Sequence, residues 1–403
     1  MRQRISPKIR SKHGWGVHIL SLSALGEERA VKKFICMLLA MAFLASGSAS
    51  CASESFSVDA KGAVLIDAAS GRVLFGQNEN ARYPMASTTK IMTALLALEN
   101  CALDEEVTAS ENANGVPGTS IYLSEGETLT MEQMLYGLLL RSGNDAAVAI
   151  AEHVSGSVED FAALMNKRAV ELDADAHYEN PHGLDADGHE ASALALARIF
   201  RQAMRSEDFR RITGTKQTTI PWVGNEFSRV LTNKNRLLTT YEGATGGKTG
   251  YTSDAGRCLV FSAEREGMEL IGVVLSCPNW FDEAERMLDY GFENYHLETP
   301  LVSGQTACET AVWDGMAGTV TAVAETDLSA AVGNGETWRV EYDFPGGVHA
   351  PVSAEQAIGT ATLYVENQPV AETKLLAAQG VERRDLASAL KRLLTRWALL
   401  FQS

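Results

Sequence analysis

Two residues at the start of an apolar segment have the types and the spacing of a nucleophile and its base. Ser87 and Lys90 stand three positions apart at the beginning of the nearly all-apolar residues 87–98. Residues with this separation share one face of a helix, so the amine can reach the hydroxyl. A serine hydroxyl needs a base, and a lysine serves when burial and nearby cations lower its pKa. The helix N-terminus would also stabilise an oxyanion near Ser87.

The Ser-x-x-Lys spacing alone is a weak signal, because it occurs again at Ser388–Lys391. An ordinary surface helix explains that second occurrence. Two further segments strengthen the signal at Ser87. Ser142-Gly143-Asn144 interrupts two apolar helical stretches, where a loop could lean into a cleft, although Ser110-Glu111-Asn112 has the same form. Lys248-Thr249-Gly250 is predicted to open a strand, in which Gly250 would let a substrate backbone approach closely. The order and context of the three segments make them a stronger signal together than any one of them alone.

The order of these motifs resembles that of the penicillin-recognising serine enzymes. Five segments look like those of the low-molecular-weight penicillin-binding proteins that act as D-alanyl-D-alanine carboxypeptidases. Ala350-Pro351-Val352, with Gln356 and Gly359, resembles the C-terminal β-domain of that family. The resemblance covers about residues 55–370, and its five segments are residues 84–90, 142–146, 180–184, 233–238 and 248–252.

The resemblance implies catalytic roles for the matching residues. Ser87 would form the acyl-enzyme, with Lys90 as the acceptor of its proton. Ser142 would relay a proton toward the leaving D-alanine. The backbone N–H groups of Ser87 and Tyr251 would form the oxyanion hole. Water would then release the shortened stem peptide, and the resemblance implies no metal and no other cofactor.

The resemblance also implies a set of substrate-binding residues. Asn144 would position the peptide amide, while Lys248 and the Thr249 hydroxyl would meet the terminal carboxylate of the substrate. Many members of the family have Asp-Gly two residues before the Lys-Thr-Gly motif, whereas Thr245-Gly246-Gly247 stands here. The departure concerns local substrate contacts and leaves the reaction unchanged. The expected partners are peptidoglycan stem peptides and β-lactams, the latter as covalent inhibitors.

Three alternative functions fit the sequence less well. A zinc carboxypeptidase would need two histidines and a carboxylate around one ion. One cluster in the sequence contains such residues: His182, Asp185, Asp187 and His189. The favoured interpretation of this cluster is a solvated, glycine-rich loop. A serine β-lactamase shares the three motifs, but residues 178–183 resemble the carboxypeptidase segment instead of a loop with a deacylating glutamate. A non-catalytic wall-binding or sensor protein is disfavoured because all the catalytic side chains are present.

The elements that position these residues predict an α+β fold. Residues 61–78 predict a hairpin that turns at Ser70-Gly71, and residues 258–263 and 269–276 predict two later strands. Strands at both ends and helices between them predict one antiparallel sheet covered by helices. By resemblance, residues 55–297 are a penicillin-binding/β-lactamase-like transpeptidase domain. The intervening helices are expected at 87–98, 131–140, 145–154, 160–172 and 192–204, with a last one at 282–295.

The remaining segments predict a second domain and two terminal elements. Residues 298–378 have short alternating runs that predict a small all-β, sandwich-like domain. Residues 1–52 predict a leader, with a signal peptide at about 31–52 and an upstream part explained by the choice of start site. Cleavage near Ala52 is favoured over lipidation of Cys51.

Residues 382–403 form an amphipathic pattern with a local charge of +3, five basic minus two acidic residues. The pattern fits a helix in a membrane interface, with a helix docked on the body as the alternative. With the leader, it predicts an exported protein at the extracytoplasmic face of the cytoplasmic membrane.

Charge and cysteine content narrow the remaining possibilities. The net charge is −16, and the leader carries +6 from eight basic and two acidic residues, so the remainder carries about −22. An acidic body does not attract phosphate backbones, so no nucleic-acid partner is expected. Four scattered cysteines follow the leader and predict buried free thiols: Cys101, Cys258, Cys277 and Cys308.

Overall fold

The computed structural model describes residues 56–386 together with Leu390 and Leu394. The strands are β1 Gly62–Asp67, β2 Val73–Gln77, β3 Arg82–Pro84, β4 Glu106–Thr108, β5 Thr128–Thr130, β6 Ala176–His177, β7 Glu190–Ser192, β8 Gln217–Ile220, β9 Arg229–Thr232, β10 Ala244–Thr252, β11 Gly256–Arg265, β12 Met268–Leu275, β13 Tyr295–Leu301, β14 Thr306–Trp313, β15 Thr319–Ala324, β16 Leu328–Gly333, β17 Trp338–Asp343, β18 Val348–His349, β19 Ala357–Val365 and β20 Gln368–Ala377. The helices are α1 Lys90–Asn100, α2 Met131–Leu140, α3 Asn144–Ser155, α4 Val158–Glu171, α5 Ala193–Ala203, α6 Glu207–Thr213, α7 Leu237–Thr240 and α8 Trp280–Asn294, with a short 3-10 turn, Ala86–Thr89, before α1.

The central sheet joins the two ends of the catalytic region, as the sequence predicted. Its five antiparallel strands have the order β10-β11-β12-β1-β2. Every residue of β1 and β12 is buried. Side chains alternate between the two faces of a strand. Val64 and Ile66 join the core that includes α5, while Leu65 lies against Gly291 of α8 on the other face. Burial on both faces explains why these strands are continuous apolar runs.

Two helices that pack in this core contain buried polar residues at their N-terminal ends, next to the site. In α1, every residue from Lys90 to Ala97 is buried, and α3 is buried from Asn144 to Ala151. Alanine supplies four of those eight positions in α3, so neighbouring helices can pack closely around it. The α1 and α3 helices also pack directly against each other. Their packing places Lys90 beside Asn144.

The C-terminal part is all-β, as expected. Six strands pair in the order β17-β19-β20-β15-β14-β18, and β13 pairs with β16. This part has apolar cores of its own, one of which contains Leu301, Leu363 and Leu375. Polar contacts join it to the first hairpin, where Arg72 donates to both oxygens of Glu336 at 2.7 and 2.5 Å.

Two expectations need correction. Strand β10 begins at Ala244, so Lys248 lies in its middle, not at its start; Gly246 and Gly247 continue the pairing with β11 after a register shift. The cysteines in the described part are free, but only Cys258 and Cys277 are buried, because Cys101 and Cys308 lie near edges of the packed regions.

No helix in residues 56–386 is long and apolar enough to cross a membrane. The predicted leader lies outside the described residues, as does most of the predicted tail helix.

Candidate active site

The nucleophile candidate lies in the tight turn that leads into α1. Ser87 belongs to the 3-10 turn, and Lys90 is the first residue of α1. The three-residue spacing brings the Lys90 Nζ to 3.1 Å from the Ser87 Oγ. Ser87 borders the cleft, whereas Lys90 is completely buried beneath it. The pair therefore has the contact that the sequence predicted.

The surroundings of Lys90 favour a neutral amine. Burial lowers its pKa well below the usual value, and the charges of Lys248 and Lys234 lower it further. Besides Ser87, the amine contacts the Asn144 Oδ1 at 2.7 Å and the carbonyl of His182. A neutral amine has two N–H groups for these two acceptors, and its lone pair then faces the serine hydroxyl. This is the arrangement of a general base.

The Ser142–Asn144 loop is held in a strained conformation at the mouth of the cleft. Ser142 has a φ of +65°, which is uncommon for a residue with a side chain. The Thr119 hydroxyl donates to the Ser142 carbonyl, and the Asn144 Nδ2 donates to the Pro117 carbonyl at 2.6 Å. Such strain persists where the surroundings over-determine it, and it is common at functional sites.

Asp145 anchors the facing segment, a role that the sequence motif did not reveal. Its carboxylate is buried and accepts from the Ser120 hydroxyl at 2.6 Å. It also accepts from the backbone N–H groups of Ile121 at 3.1 Å and Leu123 at 3.0 Å. Segment 117–123, which borders Asn144, is thereby fixed to the start of α3. Asp145 belongs to the family-like segment 142–146, but its hydrogen-bond partners in segment 117–123 lie more than twenty positions earlier in the chain.

The Lys-Thr-Gly segment forms the opposite wall. The Lys248 Nζ donates to the Ser142 Oγ at 3.0 Å and so connects the two motifs. Burial, assisted by the charge of Lys234, lowers the pKa of Lys248 to about 7. A Cβ on Gly250 would lie 3.0 Å from the backbone N of Ser87 and 3.1 Å from the Met85 carbonyl oxygen. Glycine therefore permits the close approach of β10 to Ser87.

The loop that precedes β7 also reaches the turn that contains Ser87. Gly183 has a φ of +85°, and a Cβ there would lie only 1.9 Å from the Ala86 carbonyl oxygen. The Asn180 Oδ1 accepts from the Gly183 N–H at 2.7 Å. This contact holds the His182 carbonyl where Lys90 meets it.

His189 corrects an expectation, because it is 3% exposed and not solvated, and His182 is half-buried. The Thr89 hydroxyl donates to the Ala86 carbonyl, so the His189 Nε2–H must donate to Thr89 at 2.7 Å. Its Nδ1 accepts from the Glu179 N–H at 3.0 Å. Burial lowers the pKa of His189 to about 4 and that of His182 to about 3. Asp185 and Asp187 are exposed as expected. His189 thus connects this loop to α1 as a neutral side chain.

These segments enclose a cleft of about 320 Å³. Ser87, Ser142, Asn144, Thr249 and Tyr251 line it, and the two buried lysines lie beneath. Further lining residues had no role assigned from the sequence, and Lys234 and Trp280 are two of them. Lys234 lies in the quoted segment 233–238 and could have been singled out there. Nothing in the sequence pattern marked Trp280, which comes from the start of α8.

The fold and the cleft define a class of protein: serine enzymes in which a Ser-x-x-Lys helix, a Ser-x-Asn loop and a Lys-Thr-Gly strand meet. Comparison with family models gives the family. Residues 48–279 match the model described as D-alanyl-D-alanine carboxypeptidase, and residues 295–383 match penicillin-binding protein 5, C-terminal domain. The chain belongs to the D-alanyl-D-alanine carboxypeptidase family, peptidase family S11. It is a serine-type enzyme of that family, as the resemblance implied.

Individual relatives agree. The chain is 34% identical over 351 residues to D-alanyl-D-alanine carboxypeptidase DacF of Bacillus subtilis, covering 84% of this chain and 90% of the relative. It is 36% identical over 238 residues to DacB2 of Mycobacterium tuberculosis, covering 57% and 81%. The crystal structure of penicillin binding protein 5 from Haemophilus influenzae is similar with a TM-score of 0.70 and 29% identity, covering 81% of this chain and 99% of that one. The similarity therefore includes the catalytic and the C-terminal parts.

Proposed function

We propose that this enzyme removes the terminal D-alanine from peptidoglycan stem pentapeptides through an acyl-enzyme on Ser87, in cell-wall biosynthesis and remodelling. The observation that carries the residue assignment is the 3.1 Å contact of the Ser87 Oγ with the Lys90 amine, whose pKa burial lowers well below its usual value. Family membership supports the reaction.

In the first step Lys90 takes the proton of Ser87 as the oxygen attacks the carbonyl of the scissile bond. The oxyanion that forms would accept from the backbone N–H groups of Ser87 and Tyr251. The close approach of β10 at Gly250 supports this pairing. Burial lowers the pKa of the Lys90 amine and so favours its neutral form, which is the form that can accept the proton.

The leaving group needs a proton and the substrate needs an anchor. Ser142 lies between the cleft and Lys248, so it can pass a proton to the departing D-alanine. Lys248 and the Thr249 hydroxyl would bind the terminal carboxylate, and Asn144 would position the peptide amide. A bound carboxylate favours the charged form of Lys248, whose pKa without substrate is about 7.

Hydrolysis of the acyl-enzyme completes the reaction, and β-lactams should interrupt it. Penicillin imitates the D-alanyl-D-alanine terminus, so Ser87 should open its ring. Glu179 is the carboxylate that the loop at 178–183 offers as a deacylating base. It is exposed and lies 2.8 Å from His177 at the surface. This geometry favours a slow carboxypeptidase-type deacylation over the rapid turnover of a β-lactamase.

The test of the nucleophile is Ser87→Ala. The substitution should abolish release of D-alanine from a stem pentapeptide mimic while thermal unfolding stays close to that of the parent. Ser388→Ala, in the second Ser-x-x-Lys spacing, is the matched control and should keep full activity. Activity of Ser87→Ala within tenfold of the parent would contradict the assignment.

The proposal extends to domains and location. Residues 1–52 would be the leader, 55–297 the catalytic domain, 298–378 the C-terminal β-domain and 382–403 a membrane-interface helix. The enzyme would then act at the extracytoplasmic face of the cytoplasmic membrane. The basic, amphipathic tail supports this, as do the 91% exposure of Leu386 and the 59% exposure of Leu390.

Removal of residues 382–403 tests the location of the enzyme. The truncated protein should move from the membrane fraction to the soluble fraction and keep its carboxypeptidase activity. A full-length protein that is already soluble, or a truncated one that does not fold, would favour a helix docked on the body.

A further inference from the structure

Three side chains with metal-binding atoms meet at the ends of two helices that begin at the active site. Cys101 directly follows α1, Glu105 lies in the next loop, and His153 lies in the last turn of α3. Their sulfur, carboxylate and imidazole ligand atoms all lie within 4.8 Å of one another. Helices of eleven and twelve residues are about 16–18 Å long. The cluster is therefore well separated from Ser87 and from the cleft.

We propose that Cys101, Glu105 and His153 form a zinc site. One thiolate, one imidazole and one carboxylate are the three protein ligand types that Zn²⁺ prefers, with water in the fourth position. Ca²⁺ and Mg²⁺ prefer oxygen ligands alone, so a thiol and an imidazole select against them. Each of the three residues offers one such ligand atom.

The geometry needs only a small adjustment. In a tetrahedral zinc site, neighbouring ligand atoms lie about 3.3–3.8 Å apart. The His153 Nε2 and the Glu105 Oε2 are already 3.3 Å apart. The largest separation, at most 4.8 Å, would have to shorten by roughly 1–1.5 Å. Rotation of a partly exposed cysteine and an exposed glutamate at a chain turn can supply that movement.

Two features of the surroundings support a cation there. The second oxygen of Glu105 accepts from the Ala102 N–H at 2.6 Å, which orients the carboxylate as hydrogen bonds around metal ligands do. The site also lies at the C-terminal ends of α1 and α3, where the helix dipoles favour positive charge. A bound ion would join these two helix ends.

Two other histidine–glutamate pairs in the described residues can be compared with the proposed zinc site. His177 lies 2.8 Å from Glu179 and His296 lies 3.2 Å from Glu298, both as exposed pairs. Neither belongs to a metal-binding group of three within residues 56–386. The proposal therefore depends on Cys101, and an ordinary histidine–glutamate pair would not reproduce the binding.

The experiment is a titration of the purified exported enzyme with Zn²⁺ by calorimetry, in the presence of a non-chelating reductant. One ion should bind per chain, with release of the thiol proton, and Mg²⁺ should not compete. Co²⁺ at the same site should show a thiolate-to-metal charge-transfer band, and Zn²⁺ should raise the midpoint of thermal unfolding.

Single substitutions identify the ligands. Cys101→Ser and His153→Gln should each weaken Zn²⁺ binding by more than about 100-fold, since loss of a supporting residue alone costs ~10–100-fold. Cys101→Ser should also remove the charge-transfer band. Cys308→Ser and His177→Gln are the matched controls and should bind as the parent does. Unfolding midpoints without metal show that each variant is folded, and penicillin acylation of Ser87 should be unchanged in all of them.

Two results would overturn the proposal. One is the absence of stoichiometric Zn²⁺ binding by the folded, reduced parent. The other is binding that survives in both Cys101→Ser and His153→Gln, or that is lost equally in the control variants. Either result would leave the cluster as a histidine–glutamate pair beside a free thiol.

Discussion

Gly183→Ala tests how the loop at 180–184 supports Ser87 and Lys90, the proposed nucleophile and base. The added Cβ would lie 1.9 Å from the oxygen and 2.4 Å from the carbon of the Ala86 carbonyl, so the backbone must move by more than about 1 Å. Overpacking of this kind costs about 3 kcal/mol or more. The φ of +85° adds about 1 kcal/mol. The same movement displaces the His182 carbonyl from Lys90, and a misplacement of this size costs roughly 10²-fold in rate.

Gly188→Ala is the matched control in the same segment. Its φ of +80° carries a similar backbone cost, but its nearest neighbour would be the His177 Cδ2 at 3.7 Å, an ordinary contact. Urea unfolding should show Gly183→Ala to be less stable than Gly188→Ala by about 3 kcal/mol. Stopped-flow acylation by penicillin should be slowed about 100-fold in Gly183→Ala alone. Equal stability and equal acylation rates in the two variants would refute the reasoning.

Two further predictions concern buried polar groups. Asp145→Asn should lower the free energy of unfolding by about 2–4 kcal/mol and slow acylation, because the new amide would face the N–H donors of Ile121 and Leu123; unchanged urea midpoints would contradict this. The pKa of His189 is about 4 in the folded enzyme and about 6.5 in the unfolded chain. Between these two pH values the unfolded chain binds more protons than the folded enzyme, so the free energy of unfolding decreases as the pH falls. The stability advantage of the parent over His189→Gln should therefore shrink by about 3 kcal/mol between pH 6.5 and pH 4, and a constant difference in urea unfolding would refute it.

Much of the fold followed from local patterns in the sequence. The apolar runs of β1 and β12 and the hairpin turn at Ser70-Gly71 are local signals, and they predicted the central sheet. The start of β10 was wrong because Gly246 and Gly247 have low strand propensity. Their backbone groups nevertheless pair with β11, and this pairing depends on a partner that is distant in sequence. Strand boundaries of this kind are decided by tertiary contacts.

The site was predictable where chemistry depends on spacing. Ser87 and Lys90 meet because residues three positions apart in a helical turn lie on the same face. His189 was misjudged because a glycine-rich loop predicts exposure, whereas contacts with Thr89 and Glu179 bury this side chain. Asp145 went unnoticed as an anchor, since the N–H groups that it accepts from lie in another loop. Residues that position the reacting groups act through such non-local contacts, which no motif encodes.

The acyl-enzyme itself provides the most direct test of the central claim. The mass of the intact protein, measured minutes after exposure to penicillin, should increase by one opened penicillin molecule. Peptide mapping should place the adduct on Ser87. Lys90→Ala should prevent the adduct, because the Ser87 hydroxyl would lose its proposed base, the Lys90 Nζ that lies 3.1 Å away. Rapid, repeated hydrolysis of penicillin with no detectable adduct would contradict the account and indicate a β-lactamase.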